Sequence, residues 1–368
     1  MPRSPKWKLD VYNSAHGVVP AGDDSLLDAS LVEWRDFATI LNRSVKAGSV
    51  STDTMVSTYS LVYTNLNGAH YGGVLASNGD IHFVPYNNRG QKISPAGVVS
   101  TYSLVYTAGA YAGGVLAPNG DIHFIPYVGD RGQKIAANET VSTYPLVYTA
   151  SEAYYGGVLA PNGDIHFIPY NAARGQKISA TGTVSTYPLA YTTNQAYIGG
   201  VLAPNGDIHF VPYNARVGQK ISMAGVVSTY ALAYTTSSAY QGGVLASNGD
   251  IHFVPYFAGR GQKISIAGIV STYLLVDTVG SYTGGVLAPN GDIHFVPRGS
   301  GRGQKISTNG TVSTYALAFN AAYSGGVLAP NGDIHFIPLF AARGQKILTG
   351  SAKNLGLGVA CSPYLNKL

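Results

Sequence analysis

Seven histidines recur at one place in this chain, as His82, His123, His166, His209, His252, His294 and His335, each after an Asp-Ile pair. The aspartates recur with them, as Asp80, Asp121, Asp164, Asp207, Asp250, Asp292 and Asp333. Imidazoles beside carboxylates are the groups of metal centres and proton relays. One histidine per repeat, however, spaces the imidazoles too widely for a compact ligand set. Each repeat also carries a Val-Ser-Thr-Tyr run, whose hydroxyls offer a buried imidazole a partner. An aspartate after Asn-Gly commonly fixes its own turn. The expectation is therefore structural: histidine held by a nearby hydroxyl, aspartate paired with histidine within each repeat, no metal site and no cofactor. Catalysis brings unlike groups to one centre, and no Ser–His–Asp or paired-carboxylate set stands out where every candidate comes in seven copies.

Two further series carry chemistry. Arg89, Arg131, Arg174, Arg216, Arg260, Arg302 and Arg343 precede Gly-Gln-Lys, with Val217 inserted once. Tyr71, Tyr111, Tyr154, Tyr197, Tyr240, Tyr282 and Tyr323 stand in the connections that lead into Gly-Gly. Those connections vary between copies, as NLNGAHY, AGAY, ASEAYY and TNQAY show, while the Asn-Gly-Asp turn scarcely changes. Guanidinium and phenol groups suit anionic or hydroxyl-rich ligands, through charge-assisted hydrogen bonds and ring stacking. These arginines and tyrosines are the ligand-binding candidates. The plainer alternative is that each arginine braces its loop and each tyrosine packs over a channel mouth.

The elements that position these groups follow from the repeat. Gly-Gly-Val begins at Gly72, Gly113, Gly156, Gly199, Gly242, Gly284 and Gly325, a spacing of 41 to 43 residues. A period of about 40–45 residues with strand-like content is that of a propeller blade. VSTYSLVYT, GGVLA, IHFVP and QKIS are four short runs rich in β-branched and aromatic residues, and Asn-Gly-Asp between the second and third signals a tight hairpin. Close backbone approach at the axis suits Gly-Gly, so GGVLA is placed innermost and VSTY outermost. Pro85 and its equivalents fall at a strand end or a bulge. The first VSTY, at Val56, precedes the first Gly-Gly, and none follows Ile347. The predicted fold is an all-β seven-bladed propeller of four-stranded blades, in which the segment 56–64 completes the last blade and leaves no open edge. In this order the arginine turns and the tyrosine connections share one face of the disc.

GGVLAPNGDIHFIPYNAARGQKI, with an inner strand, a glycine turn, a second strand and an Arg/Gln-bearing strand start, resembles the repeat of NHL-type β-propellers. It is more distantly similar to six-bladed gluconolactonase-like propellers. The resemblance covers about 300 residues and speaks to fold. Its second branch implies a lactonase-like hydrolase that holds a metal with acidic and amide groups from several blades. The chain departs from that pattern, with Glu33, Glu139 and Glu152 as its glutamates and aspartates that mostly repeat in the turn.

Outside the repeats, 1–23 is an extension and 24–47 reads as an amphipathic helix, with Leu27, Leu31, Trp34, Ala38, Leu41 and Val45 at helical spacing. That leaves the propeller at 48–347 and a tail at 348–368. No apolar run reaches a membrane span or a secretory signal, the single Cys361 permits no intrachain disulfide, and the compartment stays open. The formal charge of +5 follows from one Asp, one Arg and one Lys per repeat. It is too modest to call for nucleic acid as a partner. The function expected from these observations is a non-enzymatic multivalent binding module whose loop face holds a glycan, a polyanion or a protein. The second reading is a structural or assembly protein that self-associates through 24–47, or a symmetric designed scaffold. Enzymatic activity ranks below both.

Overall fold

A computed structural model describes residues 55–349, except 66, 67, 108, 109 and 321. The extension 1–23, the expected helix 24–47 and all but the first two residues of the tail 348–368 lie outside the described residues. Twenty-eight strands, β1 to β28 in chain order, form seven four-stranded antiparallel sheets. The first blade is β2 (His70–Leu75), β3 (Ile81–Pro85), β4 (Arg89–Ile93) and β5 (Val99–Ser103), in that spatial order. The last is β26 (Tyr323–Leu328), β27 (Ile334–Pro338), β28 (Arg343–Leu348) and β1 (Met55–Ser60). β1 pairs with β28 from Met55 opposite Leu348 to Ser60 opposite Arg343. The chain ends thus close the ring as the repeat count predicts. No helix occurs among the described residues.

Gly-Gly is innermost for a measurable reason. The first glycine of each pair has φ between +77° and +94°, and a Cβ added there would stand 2.8–3.5 Å from the Cα of the corresponding glycine in the next blade. The seven glycines form a collar around the axis that has no room for side chains. At the second glycine, a Cβ at Gly73 would lie 2.6 Å from Ile337 Cδ1 of the preceding blade. Just above the collar the inner strand bulges between His70 and Gly73, and Pro85 pairs with His70 across that bulge. Proline therefore ends its strand where the ladder is already broken.

β3 and its equivalents are buried on both faces. Val115 and Ile125 of one blade pack against Tyr154, Ile165, Phe167 and Ile178 of the next, so each inter-blade seam is a small core. A fully buried phenylalanine such as Phe167 contributes about 2–3 kcal/mol.

The recurring polar groups lock the blades. Gln133 Oε1 accepts from Val105 N at 3.1 Å and Tyr106 N at 2.9 Å, tying the exit of one blade to the third strand of the next. His123 Nδ1 lies 3.3 Å from Tyr144 Oη, and His166, His209, His252, His294 and His82 make the same contact at 3.2–3.4 Å. The expected Asp–His pairing is replaced by an ion pair. Lys134 Nζ stands 2.6 Å from Asp121 Oδ2, and each other blade repeats the pair at 2.6–2.9 Å. The lysine reaches aspartate because its strand ends at the same face as the Asn-Gly-Asp turn. Burial alone would raise the Asp121 carboxyl, but the Lys134 ammonium more than offsets it and the pKa falls.

The collar makes a controlled prediction. At Gly182 φ is also positive, +88°, but nothing lies within 4 Å of an added Cβ. Gly182→Ala is expected to cost about 1–2 kcal/mol, the left-handed backbone penalty. Gly113→Ala meets the same penalty plus a backbone contact at 2.8 Å and is expected to cost at least about 3 kcal/mol. Urea unfolding of both variants decides it; equal losses would mean that the collar is not tight.

Candidate functional site

The topology does put the two loop series on one face. It does not put the predicted residues over the axis. Tyr111, Tyr154, Tyr197, Tyr240, Tyr282 and Tyr323 are each 0% exposed. Tyr154 Oη donates to the main-chain oxygen of Arg174 at 3.1 Å, and its ring lies 5.6 Å from that of Phe167. A ligand on the loop face meets none of these six rings. Tyr71 is not their counterpart, because His70 takes their place opposite Pro85, as Tyr111 does opposite Pro126. The arginines Arg89, Arg131, Arg174, Arg216, Arg260, Arg302 and Arg343 are exposed. They open the third strand of each blade, or precede it where Val217 opens it. Two strand spacings of about 4.8 Å set that strand back from the inner one. Arg216, with Asn214 and Thr235 to Ser237, borders a depression of about 350 Å³ at this outer position.

Around the axis at the mouth stand different residues, one step along the chain, of which Ala112, Ile198, Gln241, Thr283, Ser324 and Leu339 are buried beneath it. The set comprises the residue after each buried tyrosine, or after His70 in the first blade, and the residue after each proline that ends a second strand. In a strand, neighbours point to opposite faces, so Tyr154 enters the core while Tyr155 faces its own surroundings at the axis. Here the sevenfold repeat breaks. The first series reads Tyr71, Ala112, Tyr155, Ile198, Gln241, Thr283 and Ser324; the second reads Tyr86, Tyr127, Tyr170, Tyr213, Tyr256, Arg298 and Leu339.

Tyr155 forms the floor. Its ring is 5.7 Å from those of Tyr71 and Tyr127, its hydroxyl accepts from Gln241 Nε2 at 3.1 Å, and Ser324 stands beside that hydroxyl. Partners from the first, fifth and seventh blades thus meet on a third-blade side chain. Around it runs an arc of tyrosines with ring centroids 6.3, 5.9, 6.2 and 5.9 Å apart, from Tyr86 through Tyr127, Tyr170 and Tyr213 to Tyr256. Arg298 ends the arc, its guanidinium 5.5 Å from the Tyr256 ring centre and beside the Tyr71 phenol. Burial raises the Tyr71 phenol, and the Arg298 charge opposes that rise. Every ion pair among the described residues is made by a lysine, none by Arg298.

Glu152 supplies the opposite charge. It stands beside Tyr127, whose phenol burial raises and its charge raises further, accepts from Asn171 Nδ2 at 3.2 Å and holds a left-handed φ of 53°. Gln195 and Ser238 repeat that conformation at φ 55° and 52° in the next two blades. Asn171 Oδ1 accepts from Gln195 N at 2.8 Å and Asn214 Oδ1 from Ser238 N at 2.7 Å. An asparagine relay therefore holds three strained loops beside the mouth, a kind of strain that gathers at functional sites. In the sixth blade Asp277 stands where its equivalents are aromatic. Its Oδ2 accepts from Ser300 Oγ at 2.5 Å and Tyr282 Oη at 2.9 Å, so the blade that carries Arg298 has a rebuilt loop.

Among the described residues no three His, Cys, Asp or Glu side chains are grouped to hold a metal ion. Sequence reasoning missed Arg298, Glu152, Tyr155 and the arc. The signal was present: the second strand ends in Pro-Tyr in five successive repeats, then in Pro-Arg at Arg298 and Pro-Leu at Leu339.

The family model of the virginiamycin B lyases matches residues 56–342. Among solved structures, a streptogramin B lyase superposes with a TM-score of 0.73 at 20% identity, covering 80% of this chain and 98% of its own. A catalytically inactive histidine-to-alanine variant of the virginiamycin B lyase from Staphylococcus aureus, with quinupristin, does so with a TM-score of 0.72 at 17% identity, covering 80% of this chain and 99% of its own. At such identities the likeness establishes the fold. No curated protein matches the sequence significantly.

Proposed function

The chain belongs to the virginiamycin B lyase family, and from this membership we propose that it is a lyase whose reaction takes place in the tyrosine-lined mouth of the loop face. The family match corrects the expectation of a non-enzymatic binding module, and with it the expectation that the chain is not an enzyme. It also gives a more specific kinship than the NHL-type resemblance.

The observation that carries the reading is the broken symmetry of the mouth. An enzyme needs unlike groups at one centre, and here one guanidinium and one carboxylate face a floor of phenols. A lyase removes a proton beside an electron-withdrawing group and expels a leaving group without adding water. In this mouth Arg298 is suited to stabilise negative charge that develops on a carbonyl or carboxylate oxygen. Glu152, held by Asn171, is the proton acceptor. The Tyr71 phenol beside Arg298 is the donor to the leaving group.

The test is incubation with a streptogramin B and mass analysis of the products. Elimination leaves the summed mass unchanged, whereas hydrolysis adds a water. Glu152→Gln is expected to lower kcat roughly 100-fold with KM little changed. A Glu152→Gln protein as active as the parent would remove Glu152 from the chemistry.

A further inference from the structure

Resting on the lyase reading, we propose that the substrate is an acidic sugar chain, a uronate-bearing oligosaccharide laid along the tyrosine arc with a carboxylate at Arg298. The arc is continuous over five blades, with its rings about 6 Å apart and tilted 42° to 50° to one another. Tyr170 is buried between its neighbours, while Tyr86, Tyr127, Tyr213 and Tyr256 are half-buried and offer partly exposed rings on either side of it, which suits pyranose rings with apolar faces and hydroxyl edges. A single flat aromatic ligand would use one or two of these positions and leave the rest unaccounted for. The glycine collar and the Tyr155 floor stop a chain from threading the axis, so it must lie across the mouth.

The end of the arc sets the charge. Arg298 has phenols for neighbours and no carboxylate in ion-pair contact among the described residues. A guanidinium in that position is matched by a ligand carboxylate, which it binds with two parallel hydrogen bonds. A uronate also supplies the carbon acid that a lyase requires. Glu152 takes the proton from the ring carbon that bears the carboxylate, and that electron pair forms the carbon–carbon double bond. The bond from the adjacent carbon to the glycosidic oxygen breaks, and Tyr71 protonates the departing oxygen. The charge that builds on the carboxylate in between is held by Arg298. Atoms and electrons balance without water, oxidant or reductant.

The full chain is incubated with oligosaccharides of galacturonate, of mannuronate with guluronate, and of glucuronate with N-acetylglucosamine. Methyl-esterified galacturonate and streptogramin B run in parallel. Binding is read by calorimetry and cleavage by the ultraviolet absorbance of the new conjugated double bond. The expected result is cleavage of one acid form, at least 10-fold weaker binding of it by Arg298→Gln, and a KM for longer chains raised roughly tenfold by Tyr213→Ala. Cleavage of streptogramin B with no acid form bound overturns this inference and leaves the lyase reading standing. Arg298-dependent binding without cleavage of anything overturns the lyase reading and, with it, the elimination step assigned here.

Discussion

An Arg298→Gln protein is expected to lose roughly 1000-fold in kcat while remaining folded, because a preorganised donor aimed at developing charge commonly contributes 10²–10³-fold. Arg298 is partly buried among Tyr71, Tyr155 and Tyr256. Its charge is desolvated before substrate arrives and acts at a lower effective dielectric than a surface arginine. Arg298→Lys is expected to recover only part of the loss, since an ammonium keeps the charge but not the planar fork. Arg302→Gln, four residues away on the exposed rim, is the matched control and is expected to change kcat by less than about twofold. Steady-state kinetics on the three variants, with circular dichroism to confirm the fold, checks this. Equal losses at Arg298 and Arg302 would mean that the loop face acts as a diffuse charged surface, and the assignment of the mouth would fall.

That contrast also explains what the sequence showed and what it hid. The blade count, the strand order and the closure by β1 were legible because they depend on local signals: Asn-Gly-Asp for the hairpin, Gly-Gly for the axis, and one VSTY before the first Gly-Gly with none after the last QKI. The site was hidden by a single step of register. Tyr71 is one residue before its glycine pair and Tyr111 is two, so counting the tyrosine nearest to Gly-Gly mixes a mouth residue with core residues. In the pair Tyr154-Tyr155 one ring is fully buried and the other spans the mouth, although residue type cannot separate them. The arginine ring drew attention because it is repeated, and repetition here marks the frame. Arg298 and Glu152 act at positions where the copies disagree. The Asp–Lys pairing was missed for a similar reason, since it joins residues about thirteen apart and the nearer histidine looked like the partner. The antiparallel pairing of the second and third strands within each blade brings the lysine to the turn.

The same repetition sets the largest effect expected on stability. Below neutral pH the protein is expected to lose stability steeply between about pH 6.5 and pH 4. Burial, reinforced by the neighbouring lysine, holds each recurring histidine at about 4 in the folded state against an ordinary value of 6.5. His70, also by burial, falls to about 3. Above pH 6.5 both folded and unfolded chains hold these imidazoles neutral and nothing changes. As pH falls through 6.5 the unfolded chain takes up protons that the folded chain refuses, so unfolding is favoured. Below 4 the folded chain protonates as well and the decline levels off, while the lowered aspartates such as Asp121 begin to lose their own contribution. One such histidine costs about 2 kcal/mol by pH 5. The seven copies titrate in one window, against a total stability of about 5–15 kcal/mol for an ordinary domain, so unfolding should set in well above the pH at which most proteins fail. Thermal unfolding at pH 7.5, 6 and 5 measures it, and His209→Gln with Tyr230→Phe should make the dependence shallower by about one proton. A melting temperature flat from pH 7.5 to 5 would mean that the imidazoles reach solvent, and that the histidine–tyrosine contacts of 3.2–3.4 Å do not hold them neutral.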